Sequence, residues 1–104
     1  MLYIIYQEDA PGSAAIRARV KEAHFAYLEA HRDILVLGGA LLADDDPARI
    51  GSVLIINVPD RAAAEAFSAN EPLRCAGTFR SVKITRMRRG QWNPAAAPAT
   101  AEGN

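Results

Sequence analysis

The sequence predicts one small α+β domain, a single antiparallel sheet of four strands with two helices on one face. Three observations carry that reading. Four short runs rich in aliphatic, β-branched and aromatic residues recur along the chain. Two stretches of helical character separate the first run from the second and the third from the fourth. The 104 residues suffice for one hydrophobic core but not for two.

The first run, Leu2–Tyr6, is apolar-bodied on both alternating faces, with Leu2, Ile4 and Tyr6 on one side and Tyr3 and Ile5 on the other. A strand of that kind is expected to be covered on both sides. Gln7 to Gly12 reads as the loop that ends it. Ser13 stands directly before Ala14-Ala15-Ile16, where its hydroxyl can cap a helix running from about Ala14 to His31. Ile16, Val20, Ala23 and Tyr27 recur at spacings of three and four and mark the buried stripe. His24 falls on the flank of that stripe, an ionisable imidazole four residues after Val20 and four before Leu28.

Ile34–Leu37 is the second strand, Gly38-Gly39 permits a bend, a bulge or the close approach of a ligand, and Ala40–Leu42 extends it. Ala43–Ala48 holds three adjacent aspartates. It reads as a solvated hairpin connection, because consecutive carboxylates point apart and calcium loops space their ligands around a glycine. Ser52–Val58 is the third strand, again apolar on both faces. Asp60 caps a second helix over Arg61–Ala69, Asn70-Glu71-Pro72 stops it, and Leu73–Gly77 adds one turn. In the last strand, Thr78–Met87, Val82 and Ile84 share one face while Phe79, Ser81, Lys83, Thr85 and Met87 mix apolar and polar groups on the other. Such a mixed face can line a cavity. Residues 93–104, rich in alanine and proline, form a low-complexity tail expected to be disordered, leaving 1–92 as the single domain.

The order strand, helix, strand, strand, helix, strand is the split βαβ arrangement of a ferredoxin-like sandwich. Its second sheet face is uncovered yet largely apolar, which predicts a homodimer with sheet facing sheet and a ligand pocket between the sheets or at their rim near the helices. Twelve basic residues balance twelve acidic ones, so charge gives no reason to expect nucleic acid or an anionic membrane as partner. Arg80, Lys83, Arg86, Arg88 and Arg89 thicken late in the chain and read as a solvated strand face, with a local anion site as the alternative. The N-terminal run has no basic flank and is too short to span a bilayer, and one cysteine, Cys75, cannot form an internal disulfide. A cytoplasmic protein is the expectation.

Several residues and motifs in this order resemble the YCII-related (YciI-like) family: Met1-Leu2-Tyr3-Ile4-Ile5-Tyr6, Ala23-His24 on the first helix, Gly38-Gly39-Ala40, and helix two followed by Asn70-Glu71-Pro72-Leu73-Arg74-Cys75-Ala76-Gly77. The resemblance covers about residues 1–90. It implies a dimeric ferredoxin-like fold and an active site built on a histidine and the aspartate of an Asp-Pro motif. His24 matches the histidine. The Asp-Pro position is Glu71-Pro72 here, a departure that keeps the charge and adds one methylene. One resembling branch is a dehydrochlorinase of chlorinated hydroxyquinols that uses neither metal nor redox cofactor.

Imidazole suits proton transfer near neutral pH, its unperturbed pKa lying around 6.5. A carboxylate on one ring nitrogen fixes the tautomer and leaves the other to take a proton from substrate. His24 and Glu71 are therefore the expected general acid/base pair, and Tyr6, Arg80 and Ser81 the candidates to orient a small-molecule substrate. Two histidines and one cysteine without ligand spacing argue against a transition-metal site, and no glycine-rich phosphate loop is present, so no metal or cofactor is expected. Cys75 has no base nearby in sequence and reads as a small packed residue; His31 reads as a helix C-terminal imidazole favoured by the helix dipole. Three functions remain open: a cofactor-free lyase or isomerase of a small aromatic or enol, a non-catalytic dimeric ligand-binding or assembly module, and a cofactor-independent monooxygenase.

Overall fold

The computed structural model describes all 104 residues. Seven regular elements build the domain: β1 (Leu2–Asp9), α1 (Ser13–Ala30), β2 (Leu35–Ala43), β3 (Asp46–Asn57), α2 (Arg61–Ala69), α3 (Pro72–Cys75) and β4 (Phe79–Met87). The strands form one sheet in the order β2-β3-β1-β4, every neighbouring pair antiparallel. This is the expected ferredoxin-like α+β fold with the helices on one face.

Strand alternation sorts the side chains. Tyr3, Ile5 and Gln7 of β1 are buried toward the helices, as are Leu54 and Ile56 of β3. They meet Val58, Ala64 and Phe67 in the core, with Val82 and Ile84 of β4 packed against it. The opposite set, including Leu2, Ile4, Tyr6, Val53 and Ile55, looks out from the open face. Each β1 residue of this set is paired across to β3 in register, as Ile4 is to Ile55 and Tyr6 to Val53.

Several elements differ from the expectation, each for a local reason. β1 continues three residues past Tyr6, because its polar end finds partners: Gln7 Nε2 donates to Ser52 Oγ at 2.8 Å and Glu8 accepts from Arg80 Nε at 3.1 Å. β3 begins at Asp46, since backbone pairing with β2 needs no apolar side chains. The loop thus shrinks to Asp44-Asp45, and Asp46 Oδ1 accepts from Ala48 N–H at 2.8 Å. Pro47 is tolerated at an irregular stretch of this pairing, where it owes no ladder hydrogen bond. Ser13 does not cap α1. It lies inside the helix and donates to Asp9 Oδ2 at 3.1 Å, while Gly12 occupies the cap position in the left-handed region, φ 79°. Asp60 does cap α2, its Oδ1 accepting from Ala63 N–H at 2.8 Å.

Ile16, Val20 and Tyr27 of the expected α1 stripe do face inward, but the stripe is broader and shifted toward the His24 flank. Ala23 is exposed, and the inward residues are Ile16, Arg17, Val20, His24, Tyr27, Leu28 and His31. None of them is fully buried. The helix is propped above the sheet, and part of the space beneath it stays open. After Met87 the chain forms one 3-10 turn, Pro94–Ala96. No helix is long and apolar enough to cross a membrane.

Candidate functional site

His24 is carried on the inward face of α1, and Glu71 arrives from the connection between α2 and α3. The proline at position 72 sets the local geometry. It keeps Glu71 extended (φ -68°, ψ 129°) and serves as the first residue of the short helix that follows. Glu71 then caps α3, Oε2 accepting from Arg74 N–H at 3.3 Å. That leaves Oε1 to meet His24 Nδ1 at 2.5 Å. The glutamate is 1% exposed, so its carboxylate is committed to this contact and not to water. Nδ1–H donating to the carboxylate leaves Nε2 as the basic nitrogen, and Nε2 has no protein partner.

His24 also lines a cavity of about 170 Å³ between α1 and the β2–β3 side of the sheet. His24, Phe25 and Leu28 form its roof; Leu35, Gly38 and Leu54 form much of its floor. A Cβ at Gly38 would lie 2.8 Å from Leu54 Cδ2, so glycine there keeps space that a side chain would fill. The volume is below the range of drug-sized pockets and suits a single ring. An open groove of about 600 Å³ along Phe25, Glu29, Arg32, Val36 and Leu37 adjoins it and gives access from solvent. Another open depression, of about 460 Å³ at Met1, Leu2 and Arg86–Arg89, contains no proton-transfer pair.

A polar wall completes the cavity: Gln7, Ser52, Arg17 and Arg49. Arg17 is fixed by Asp9, through Nε–Oδ2 at 3.0 Å and Nη2–Oδ1 at 2.8 Å, with its guanidinium carbon 5.5 Å from the Phe79 ring centre. Arg49 has no such partner. Burial first, and then the like charge of Arg17, pull its guanidinium below the ordinary arginine range, with Asp9 opposing. These four residues escaped the sequence reading. Arg17 carried a signal, since it lies three before Val20 and seven before His24 on one helical face. Gln7 carried another, as the one polar residue in the buried alternation Tyr3, Ile5, Gln7.

The structure brings His24 and Glu71 together and sets Tyr6, Arg80 and Ser81 apart from them. Tyr6 alternates onto the open face, opposite Lys83. Ser81 pairs with Glu8, two positions along the same face. A register shift at Arg80 turns its side chain to Glu8. The mixed face of β4 thus looks away from the helices, and the His24 cavity is bounded by β2 and β3. Cys75 is exposed, not packed, and its thiol donates to Ala69 O at 3.2 Å. His31 ends α1 as expected, Nδ1 lying 2.8 Å from Tyr27 O. No group of three or more His, Cys, Asp or Glu side chains is placed to hold a metal ion.

Behind the pair, Tyr27 donates its hydroxyl to Phe67 O at 2.7 Å. Burial, followed by the charges of Glu71 and Cys75, pushes this phenol above its ordinary value. The folded protein therefore holds the Tyr27 proton more tightly than the unfolded chain. The resulting stabilisation is complete below about pH 10 and is lost as pH rises through the folded value. Tyr27→Phe is expected to cost about 1 kcal/mol at neutral pH through the lost hydrogen bond, and to flatten the alkaline fall in stability. Melting temperatures measured across the alkaline range test this; equal alkaline slopes in both proteins would refute it.

Residues 1–88 match the YCII-related domain. Among solved structures, the chain is similar to 5-chloro-2-hydroxyhydroquinone dehydrochlorinase (TftG) from Burkholderia phenoliruptrix in complex with 2,5-dihydroxybenzoquinone. The two are 32% identical, the match covers 86% of this chain and 96% of that one, and the TM-score is 0.80. An antibiotic biosynthesis monooxygenase (21% identical, 88% and 100% covered, TM-score 0.51) and a protein from Agrobacterium tumefaciens (18%, 90% and 98%, 0.53) share the fold. No curated protein sequence matches the chain.

Proposed function

The chain belongs to the YCII-related family, and from that premise we propose that it is a small-molecule lyase in which His24, oriented by Glu71, moves protons on a one-ring hydroxylated substrate. The observation that carries this reading is the 2.5 Å contact between His24 Nδ1 and Glu71 Oε1, at the wall of a ring-sized cavity. The 32% identity to a dehydrochlorinase supports elimination of HCl from a chlorinated hydroxyquinol as the reaction.

The chemistry balances within such a site. A ring hydroxyl gives its proton to His24 Nε2, and the imidazolium formed is stabilised by the Glu71 carboxylate. The electron pair released into the ring lets the chlorine-bearing carbon take a proton. A second hydroxyl then loses its proton as chloride departs. Two O–H protons leave, one C–H bond forms and chloride is released, so a hydroxyquinol becomes a hydroxyquinone with net loss of HCl and no external oxidant. Leu28, Leu35 and Leu54 supply the apolar contacts a ring needs, and their low dielectric strengthens the His24–Glu71 interaction.

Incubating the protein anaerobically with 5-chloro-2-hydroxyhydroquinone, while following free chloride and the quinone chromophore, tests the proposal. Stoichiometric release of both, faster than in buffer, is expected. Tight binding of the compound with chloride release no faster than in buffer would replace the lyase with a binding module.

The open sheet face supports a homodimer as the working form. Leu2, Ile4, Val53 and Ile55 lie together there, Tyr6 is 44% exposed and Leu37 63% exposed. Light scattering is expected to give twice the chain mass, and the mass of one chain at micromolar concentration would rule the assembly out.

A further inference from the structure

We propose that Arg49, backed by Arg17, makes the His24 cavity selective for anions, so that the ligand is a one-ring acid with one ionised oxygen paired to the Arg49 guanidinium and a separate, un-ionised hydroxyl left for His24. This rests on reading the cavity as the substrate site, and it adds the charge state of what binds there.

The placement of Arg49 is built by the strand. Between Leu41, which pairs with Gly51, and Leu42, which pairs with Arg49, the β2–β3 register shifts and leaves Ile50 unpaired. Simple alternation from Ser52 would have turned residue 50 toward the helices. The bulge resets the alternation, so that Arg49, itself exposed, stands at the cavity's open rim while Ile50, 52% exposed, turns to the other face. Bulges commonly re-aim a side chain in this way beside functional sites.

The two guanidinium groups are not equivalent. Arg17 is spoken for by Asp9, at 13% side-chain exposure against 6% for its partner. Arg49 shares the wall with it and meets no carboxylate. Two like charges brought to one small cavity repel; Asp9 is taken up by Arg17, and the Glu71 carboxylate is turned to His24 Nδ1 and the Arg74 N–H. An entering oxyanion gives Arg49 the partner it lacks and relieves that repulsion. The planar guanidinium fork matches two geometries, the carboxylate of an aromatic acid and the delocalised enolate of a hydroxyquinone. Gln7 and Ser52 hydrogen-bond each other on the same wall and remain available to an adjacent ring oxygen.

The test is a set of calorimetric titrations of the full chain with three one-ring ligands: 2,5-dihydroxybenzoquinone, which ionises as a vinylogous acid; 2,5-dihydroxybenzoate; and neutral hydroquinone. The wild type is expected to bind at least one of the two anions about tenfold or more tightly than hydroquinone. Arg49→Met should erase that preference while leaving hydroquinone binding unchanged, and Arg49→Lys should retain part of it. Whether the quinone or the benzoate gains more identifies enolate or carboxylate as the preferred oxyanion. Equal affinity for all three in the wild type, an anion preference that survives Arg49→Met, or no binding of any of them would overturn the proposal. Anion preference without turnover of the chlorinated hydroxyquinol would overturn the lyase and leave the anion site standing. Turnover that is indifferent to Arg49→Met, in KM as well as kcat, would do the reverse.

Discussion

His24→Gln is expected to lower kcat for chloride release by about 10²–10⁴-fold, the usual contribution of a positioned general acid/base. KM should change little, because most of the ring's contact is with Phe25, Leu28, Leu35 and Leu54. Glutamine occupies similar space and can still meet Glu71, so the fold should persist. His24 is only partly buried, and no core residue depends on it. Steady-state rates and a thermal melt on the same preparation separate the two effects. A variant that melts like the wild type and retains full kcat would remove imidazole from the mechanism.

The largest expected loss of stability comes from a position with no functional group at all. A Cβ on Gly51 would lie 2.2 Å from Gln7 O and 3.3 Å from Leu41 Cδ1. The first of these is backbone of the neighbouring strand and cannot swing aside. Gly51→Ala must therefore push β3 away from β1, breaking hydrogen bonds in the centre of the sheet. We expect a cost on the order of 3 kcal/mol, equivalent to a fall in melting temperature on the order of 10–20 °C for a domain of this size. Because Gly51 adjoins Ser52, whose hydroxyl accepts from Gln7, the same shift disturbs the polar wall of the cavity. A melt within a few degrees of the wild type would show that the strands can separate there at little cost.

The sequence was most informative where one physical signal dominated. Both helix segments, the proline stop at Pro72 and the order of the four strands followed from apolar periodicity and backbone restriction. Those signals are local. What they could not supply was which way a strand faces once its polar residues have found partners across the sheet. Gln7, Glu8 and Asp9 read as loop by composition, yet Ser52, Arg80 and Arg17 hold them in place. The contact of His24 with Glu71 spans 47 residues, and the family resemblance suggested the pairing. No spacing rule gives its geometry, and the added methylene of glutamate left the reach open. Arg49 was invisible for a different reason. Its direction depends on a single unpaired residue, Ile50, and a bulge reverses every inference drawn from alternation beyond it. The position of the cavity followed the same logic. The mixed face of β4 lies on the open side of the sheet, away from the His24 cavity, and Arg80 there pairs with Glu8.

The central claim is that Glu71 holds the Nδ1 proton of His24 and leaves Nε2 free to act on a ring in the cavity. Nitrogen-15 NMR of the imidazole, at a pH where the ring is neutral, tests this most directly. The account predicts that the proton resides on Nδ1, the less common tautomer of free histidine, and that 2,5-dihydroxybenzoquinone shifts the Nε2 resonance on binding. A proton on Nε2 with Nδ1 bare, or an Nε2 signal indifferent to a bound quinone, would contradict it.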